Sequence, residues 1–273
     1  MSTALLLASG FHPPTTEEFT PETLIPIHLG PLDLSLNRPI LLLFLGTFLV
    51  GFIFWLGSRQ PKLVPIGAQN VIEAGIDFVR TEIIDPVMGE RGMRFLPYLT
   101  TLFWFIFAMN IFEVIPLINY PVTFRSALTW PLALLSWVIF MWVGIVTHGA
   151  SKYIKMVALP PGVPAPVLVI LAPIEIISTF FLRPFTLSVR LLANMLAGHL
   201  ILILFWFGTS YLLGLAIHES FSLLTILNGV FGILAFILSI ALVGLEIVID
   251  FLQAYVFAIL TAVYVAGAMS EEH

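Results

Sequence analysis

The chain has 273 residues, of which 59% are hydrophobic and only 10% charged, with a formal net charge of −5. Soluble domains carry about 25% charged residues, so a mean hydropathy of +1.06 over this length excludes an ordinary soluble fold and points to a polytopic membrane protein. With no cysteine there are no disulfides and no thiolate metal sites, and no basic cluster suits nucleic acid.

The start, "MSTALLLASGFHPP", has a short apolar run but no positive n-region, which argues against a cleaved signal peptide. Residues 1–38, rich in Pro and Thr and carrying Glu17, Glu18, Glu22 and Asp33, read as an extended segment on the outer surface. Residues 39–268 read as one membrane domain. Its first span is 39–58, "PILLLFLGTFLVGFIFWLGS", since a crossing needs about 20 apolar residues. Over 68–83, Ile72, Ile76, Val79 and Ile83 recur at helical spacing beside a stripe of Glu73, Asp77 and Arg80. The pattern predicts an amphipathic helix lying at the membrane surface, with packing on a soluble partner as the alternative.

Residues 96–115 and 128–150 are the second and third spans, joined by the turn-rich "PLINYPVTFRSA". After Lys152 and Lys155, "PPGVPAP" cannot be helical throughout. Residues 167–213 and 221–268 then stay apolar for longer than one perpendicular crossing needs. Each is either a hairpin or one long, strongly tilted helix. Residues 269–273 form a short tail. With the N-terminus outside and each long stretch crossing once, Arg59, Lys62, Arg80, Arg91, Arg94, Lys152 and Lys155 all fall inside. Only Arg38 and Arg125 fall outside. Basic residues mark the cytoplasmic side, so the chain is expected to cross five times, N-terminus out and C-terminus in.

Ionisable residues stand inside the long stretches. A charge at the bilayer centre costs roughly 2.5–3.5 kcal/mol on insertion scales. Arg190 and Asn194 are four apart and share a helix face; Arg183 and Thr186 lie toward the same side. His199 is nine residues on from Arg190, two and a half turns, and points away from it. Glu246, Asp250 and Gln253 form a polar stripe on the last stretch. Such residues can simply pin helices together by hydrogen bonds, which suffices for Asn194 or Gln253 taken singly. Arg190, His199, Glu246 and Asp250 together point to an ion or proton pathway. An imidazole titrates near neutral pH, and a carboxyl in an apolar interior holds its proton more readily than in water. Arginine stays protonated, so Arg190 serves as an electrostatic gate rather than a relay.

"SVRLLANMLAGHL" (188–200), followed about fifty residues later by "GLEIVIDFLQAYVFAILTAVYVAGA" (244–268), resembles subunit a of the F-type ATP synthases, as do "MNIFEVIP" (109–116) and "RPFTLSVR" (183–190). The resemblance covers most of the chain from about residue 66. It implies an all-α membrane fold: one transmembrane helix, an amphipathic surface helix, a transmembrane hairpin, and two long tilted helices packed against a ring of c subunits. It further implies that Arg190 is the essential arginine facing that ring. Asn194, His199, Glu246 and Gln253 match positions lining the half-channel open to the outside, and Glu113, in the second span, matches an acidic position near its mouth. Thr186 and Glu175 match positions on the cytoplasmic exit side.

Glu175 is one residue further from Arg190 than the commonest spacing in the family, and a helix-start carboxylate is the alternative for it. The acid and the imidazole at 246 and 199 are exchanged relative to many bacterial members, which suggests that the two side chains meet. Asp250 matches no general family position, though its stripe places it in the same pathway.

The implied function is proton translocation by a stator subunit with two half-channels. It loads and unloads ring carboxylates and has no active site of its own; no Gly-rich phosphate loop is present. The implied partners are the c-subunit ring, b-type peripheral stalk subunits and, indirectly, the F1 sector, with lipid and protons but no nucleic acid, metal or cofactor. The tail lacks Arg-rich transit character, which favours a bacterial plasma membrane over an organellar inner membrane. A secondary transporter binding an anion at Arg190 and a passive membrane anchor are the rival classes; the inverted repeats of the first are not visible.

Overall fold

A computed structural model describes residues 23–26, 28–29, 32–33, 35–59, 62–115, 118, 120, 122–124, 126–158, 165–218 and 222–270. Residues 1–22 of the expected N-terminal segment and 271–273 of the expected tail lie outside the described residues, as does most of "PPGVPAP".

Ahead of the helices, four short strands pair as nested antiparallel ladders: β1 (Thr23–Ile25) with β4 (Leu36–Asn37), and β2 (His28–Leu29) with β3 (Leu32–Asp33). Helix α1 (Arg38–Ser58) follows directly, with Pro39 in its first turn, where a missing N–H costs nothing. Next come α2 (Ala68–Val79), α3 (Leu96–Ile111), α4 (Ser126–His148), α5 (Ala150–Ala158), α6 (Ala165–Ile177), α7 (Arg183–His218) and α8 (Leu223–Met269). The chain is an all-α membrane protein in its main body. Among the described residues, five helices are long and apolar enough to cross a membrane: Arg38–Ser58, Gly89–Ile111, Ser126–His148, Ile170–Ile217 and Leu223–Met269. The two long apolar stretches are continuous helices rather than hairpins.

Two segments wind as π turns, Arg80–Ile84 after α2 and Ser178–Leu182 between α6 and α7. Each ends two residues before a proline, Pro86 or Pro184. A proline gives no N–H to the carbonyl four residues back and crowds it. The residue just ahead of each proline instead bonds five residues back: Asp85 N–H to the Arg80 carbonyl, Arg183 N–H to that of Ser178. The helix widens and continues, as π turns do. In this way α6 and α7 form one long element despite Pro184.

The core sits where α2, α3, α7 and α8 meet. Val79, Ile83 and Ile84 from the α2 region, Leu99 and Ile106 of α3, Leu187 and Leu191 of α7, and Ala254, Ala258 and Ala262 of α8 form one buried cluster. The three alanines, one turn apart, let neighbouring helices approach closely. The apolar stripe of α2 is therefore covered by the chain's own helices. Phe78 anchors it, its ring centroid 5.5 Å from Phe103 on α3 and 5.3 Å from Phe251 on α8. At one end of α8 the Ser222 side chain caps by accepting from the Thr225 N–H at 3.2 Å.

Several boundaries differ from the sequence expectation: α4 runs Ser126–His148 rather than 128–150, and α7 continues to His218 rather than 213. The second span stops at Ile111 rather than 115. Glu113 N–H bonds to the Asn110 carbonyl at 2.9 Å and Val114 N–H to that of Ile111 at 3.2 Å, a tightened exit ahead of Pro116, which disfavours helix at the residue before it. Residues 150–158, the segment with Lys152 and Lys155, form helix α5, reached through Gly149 at φ +81°, a left-handed turn that suits glycine. Met269 ends α8 instead of opening the tail.

Candidate functional site

Helix α7 presents two different faces. On one, Arg190 is exposed and Thr186, a turn earlier, is exposed too. On the other, His199 is buried, 4% exposed. The tie between them runs through α8: Gln253 Nε2 donates to the Arg190 carbonyl at 2.8 Å. That bond leaves the Arg190 guanidinium free to face outward. Asn194 is half-buried, and its Nδ2 makes no hydrogen bond among the described residues. Ser188 Oγ donates to Thr129 Oγ1 at 3.0 Å, locking α7 against α4.

His199 reaches across to the turn after α3. Its Nδ1 stands 3.1 Å from Glu113 Oε1, an N–H to carboxylate contact when Nδ1 carries the proton. Glu113 is 1% exposed, and its second oxygen has no partner among the described residues. Glu246 and Asp250 come down from α8 onto the same spot. One oxygen from each of Glu113, Glu246 and Asp250 lies within 4.8 Å of the others. Glu246 also lies within electrostatic reach of His199. Glycine at 198 makes this possible, because the Glu246 carboxyl occupies the space where a Cβ at 198 would be. The imidazole Nδ1 contact is thus with Glu113 rather than with the expected Glu246, which stands beside Glu113.

Two full charges at 4.8 Å repel by roughly 3–4 kcal/mol even at an effective dielectric of 20. Three buried carboxylates at this separation do not all ionise together. The same oxygens would suit a cation, and a proton held between carboxyls meets that need. The arrangement is chemically fitted to take up, hold and pass on protons.

Glu175 and Thr186 stand elsewhere. From Arg183 to His199, α7 rises about 24 Å at 1.5 Å per residue. Glu175 pairs with Arg183 at 3.4 Å. Arg183 also lies over the rings of Tyr264, at 5.1 Å, and Phe140, at 5.9 Å. It is half-buried where Arg190 is exposed. Glu175 falls near the end of α6, so the helix-start alternative for it does not hold. A cleft of about 190 Å³ opens here, lined by Tyr153, Glu175, Thr179, Arg183 and Ser270. Thr186 Oγ1 donates to its own helix, to the Leu182 carbonyl at 2.7 Å.

Sequence reasoning named Glu175 and Arg183 but missed their pairing, and it did not single out Asn110 or Gly198. The Glu175–Arg183 pair needed the π turn to be known. Asn110, whose Oδ1 accepts from Thr123 Oγ1 at 2.8 Å, is 0% exposed beside Glu113 in sequence. Gly198 carried a visible signal, a glycine next to a buried histidine.

Among the described residues, five helices long and apolar enough to cross a membrane, with an ionisable cluster between them, define an integral membrane protein. A family model described as ATP synthase A chain matches residues 40–266. Proteins named ATP synthase subunit a are similar along nearly the whole chain. That of Parafrankia sp. (strain EAN1pec) is 46% identical over 273 residues, 98% of this chain and 88% of the relative. That of Frankia alni is 42% identical, covering 98% and 90%. That of Rhodococcus erythropolis is 42% identical over 275 residues, covering 100% and 96%. The chain belongs to the ATP synthase A chain family.

Proposed function

We propose that this chain is the proton-translocating stator subunit of an ATP synthase in a bacterial plasma membrane, with no catalytic site of its own. The observation that carries the reading is the convergence of Glu113, Glu246 and Asp250 on one another, with His199 in contact with Glu113, inside the protein and away from the exposed position of Arg190. Protons enter from outside through Glu113, Asn194, His199, Glu246 and Gln253, with Asp250 in the same pathway. They neutralise a carboxylate on a ring of c subunits as it leaves Arg190. A neutral carboxyl faces lipid at low cost, and the ring turns.

On the cytoplasmic side, Arg183, Glu175 and Thr186 flank the exit, where a ring carboxyl loses its proton as it approaches Arg190. The permanent guanidinium charge separates the two routes. Each charge crossing gains about 2.3 kcal/mol per 100 mV. The α7 and α8 helices form the ring-facing surface, b-type stalk subunits hold the chain, and the F1 sector is engaged indirectly. Residues 1–38 lie outside and the C-terminus lies in the cytoplasm.

The test is ATP-driven proton uptake in inverted vesicles carrying Arg190→Ala. Uptake is expected to vanish while the complex still assembles. Uptake at the unsubstituted rate would show that Arg190 is structural and would remove the gate.

A further inference from the structure

Asp250 is the ionisable residue whose place the family pattern does not explain. It is 0% exposed, and neither of its oxygens makes a hydrogen bond among the described residues. It stands one turn beyond Glu246 on α8, on the way to Gln253 and the Arg190 carbonyl. The ionisable groups beside it are Glu246 on its own helix and Glu113 on the turn after α3, and Glu113 in turn contacts His199 on α7. Arg190 points outward on the other face of α7. The cluster thus has three acids and one base. A buried carboxylate with no donor is costly, and three of them with one imidazole carry more negative charge than the site can compensate. At least one carboxyl must keep its proton whenever the others are charged.

We propose that Asp250 is a positioning residue that keeps a proton on the entry cluster, by sharing it with Glu246 and Glu113. A neutral Asp250 offers an O–H toward the Glu246 carboxylate, directly or through one water. An ionised Asp250 adds a negative charge that draws the next proton from outside. In both states it acts through Glu246, and no bond to Asp250 has to break for the proton that travels on to the ring. The consequence is that uptake continues at outer pH values where a two-carboxyl cluster would already be empty. The inference rests on the proton-path reading above.

The experiment is ATP synthesis by the complete complex in liposomes. The driving force is held constant by a potassium diffusion potential while the pH on the outer-facing side is raised stepwise. Asp250→Asn is nearly isosteric and uncharged. It is expected to lower the maximal rate and, as the diagnostic change, to move the alkaline limb of the profile down by about one pH unit, the scale of coupling between interacting sites. Asp250→Ser, smaller and uncharged, is the second variant and is expected to move the limb the same way, so a failure of Asp250→Asn to assemble leaves the question open to decision. Asp250→Glu is expected to hold the limb in place. An unmoved limb in the uncharged variants, whether their rate is unchanged or uniformly lower, overturns the proposal. Arg190→Ala in the same liposomes separates the two readings. If it is inactive and the limb is unmoved, only the role of Asp250 falls. If it still couples, the pathway itself falls.

Discussion

Glu113 and His199 are 86 residues apart in the chain, yet stand 3.1 Å apart. Each was visible in the sequence as a polar residue in apolar surroundings, and the helical spacing of Arg190 and His199 gave their opposite faces. Their contact was not legible, because it depends on where α3 stops and how the turn after it is placed beside α7. The same holds for Gln253 and the Arg190 carbonyl, since a side-chain bond to a backbone atom leaves no residue-type signature on the partner. Gly198 marks the tightest point of the cluster. A Cβ there would run into the Glu246 carboxyl, and Glu246 would have to leave its place beside Glu113. Gly198→Ala is therefore expected to slow proton-driven ATP synthesis by on the order of tenfold to a hundredfold, as misplacement of a reacting group does, without loss of assembled complex. Glu246→Asp, shorter by one methylene, is expected to restore part of the rate in the Gly198→Ala background. A Gly198→Ala complex with the full rate would show that the close approach has no part in transport.

At the scale of elements, hydropathy and the basic-residue bias were enough to count five crossings, because bilayer thickness fixes how much apolar length a crossing needs. They were not enough to choose between hairpin and long helix, and the choice turned on backbone geometry. Pro184 reads as a break, but the π turn over Ser178–Leu182 absorbs it and carries α6 into α7. Helix α2 shows the opposite limit. Its periodicity was clear, but periodicity does not say what covers the apolar stripe. Val79 and Ile83 are each 0% exposed within the chain's own core, so α2 is a structural brace for α3 and α8. Ile83→Ala is expected to destabilise the folded chain by about 2–5 kcal/mol, the range for emptying a buried aliphatic site. Thermal unfolding of the purified complex in detergent measures it. Ile76→Ala, on a half-exposed position of the same stripe, is expected to cost much less. Equal losses at the two positions would mean that the stripe rests on lipid rather than on the protein.

For the whole molecule, orientation decides which end of α7 receives protons. The cluster of Glu113, His199, Glu246 and Asp250 and the Arg183–Glu175 pair lie toward different ends of that helix, so the two routes can meet different aqueous phases only if the chain is inserted one way. The proposed insertion, read from the bias of basic residues, puts Arg59, Lys62, Lys152 and Lys155 on the cytoplasmic side, and that placement is what a labelling test decides. The absence of cysteine makes the test clean, because a single introduced thiol is the chain's only target for a maleimide. Lys62→Cys and Lys152→Cys, both at exposed positions, are expected to react with a membrane-impermeant maleimide in inverted vesicles and to be protected in intact cells. Ser126→Cys, exposed at the start of α4, is expected to show the reverse. Labelling of all three from one side would mean that α4 does not cross between Ser126 and Lys152. A complete swap would place the Glu113 cluster on the cytoplasmic side, making it the exit and the Arg183 cleft the entrance. Which of the two routes faces which aqueous phase would therefore follow from the same few charges that set the insertion.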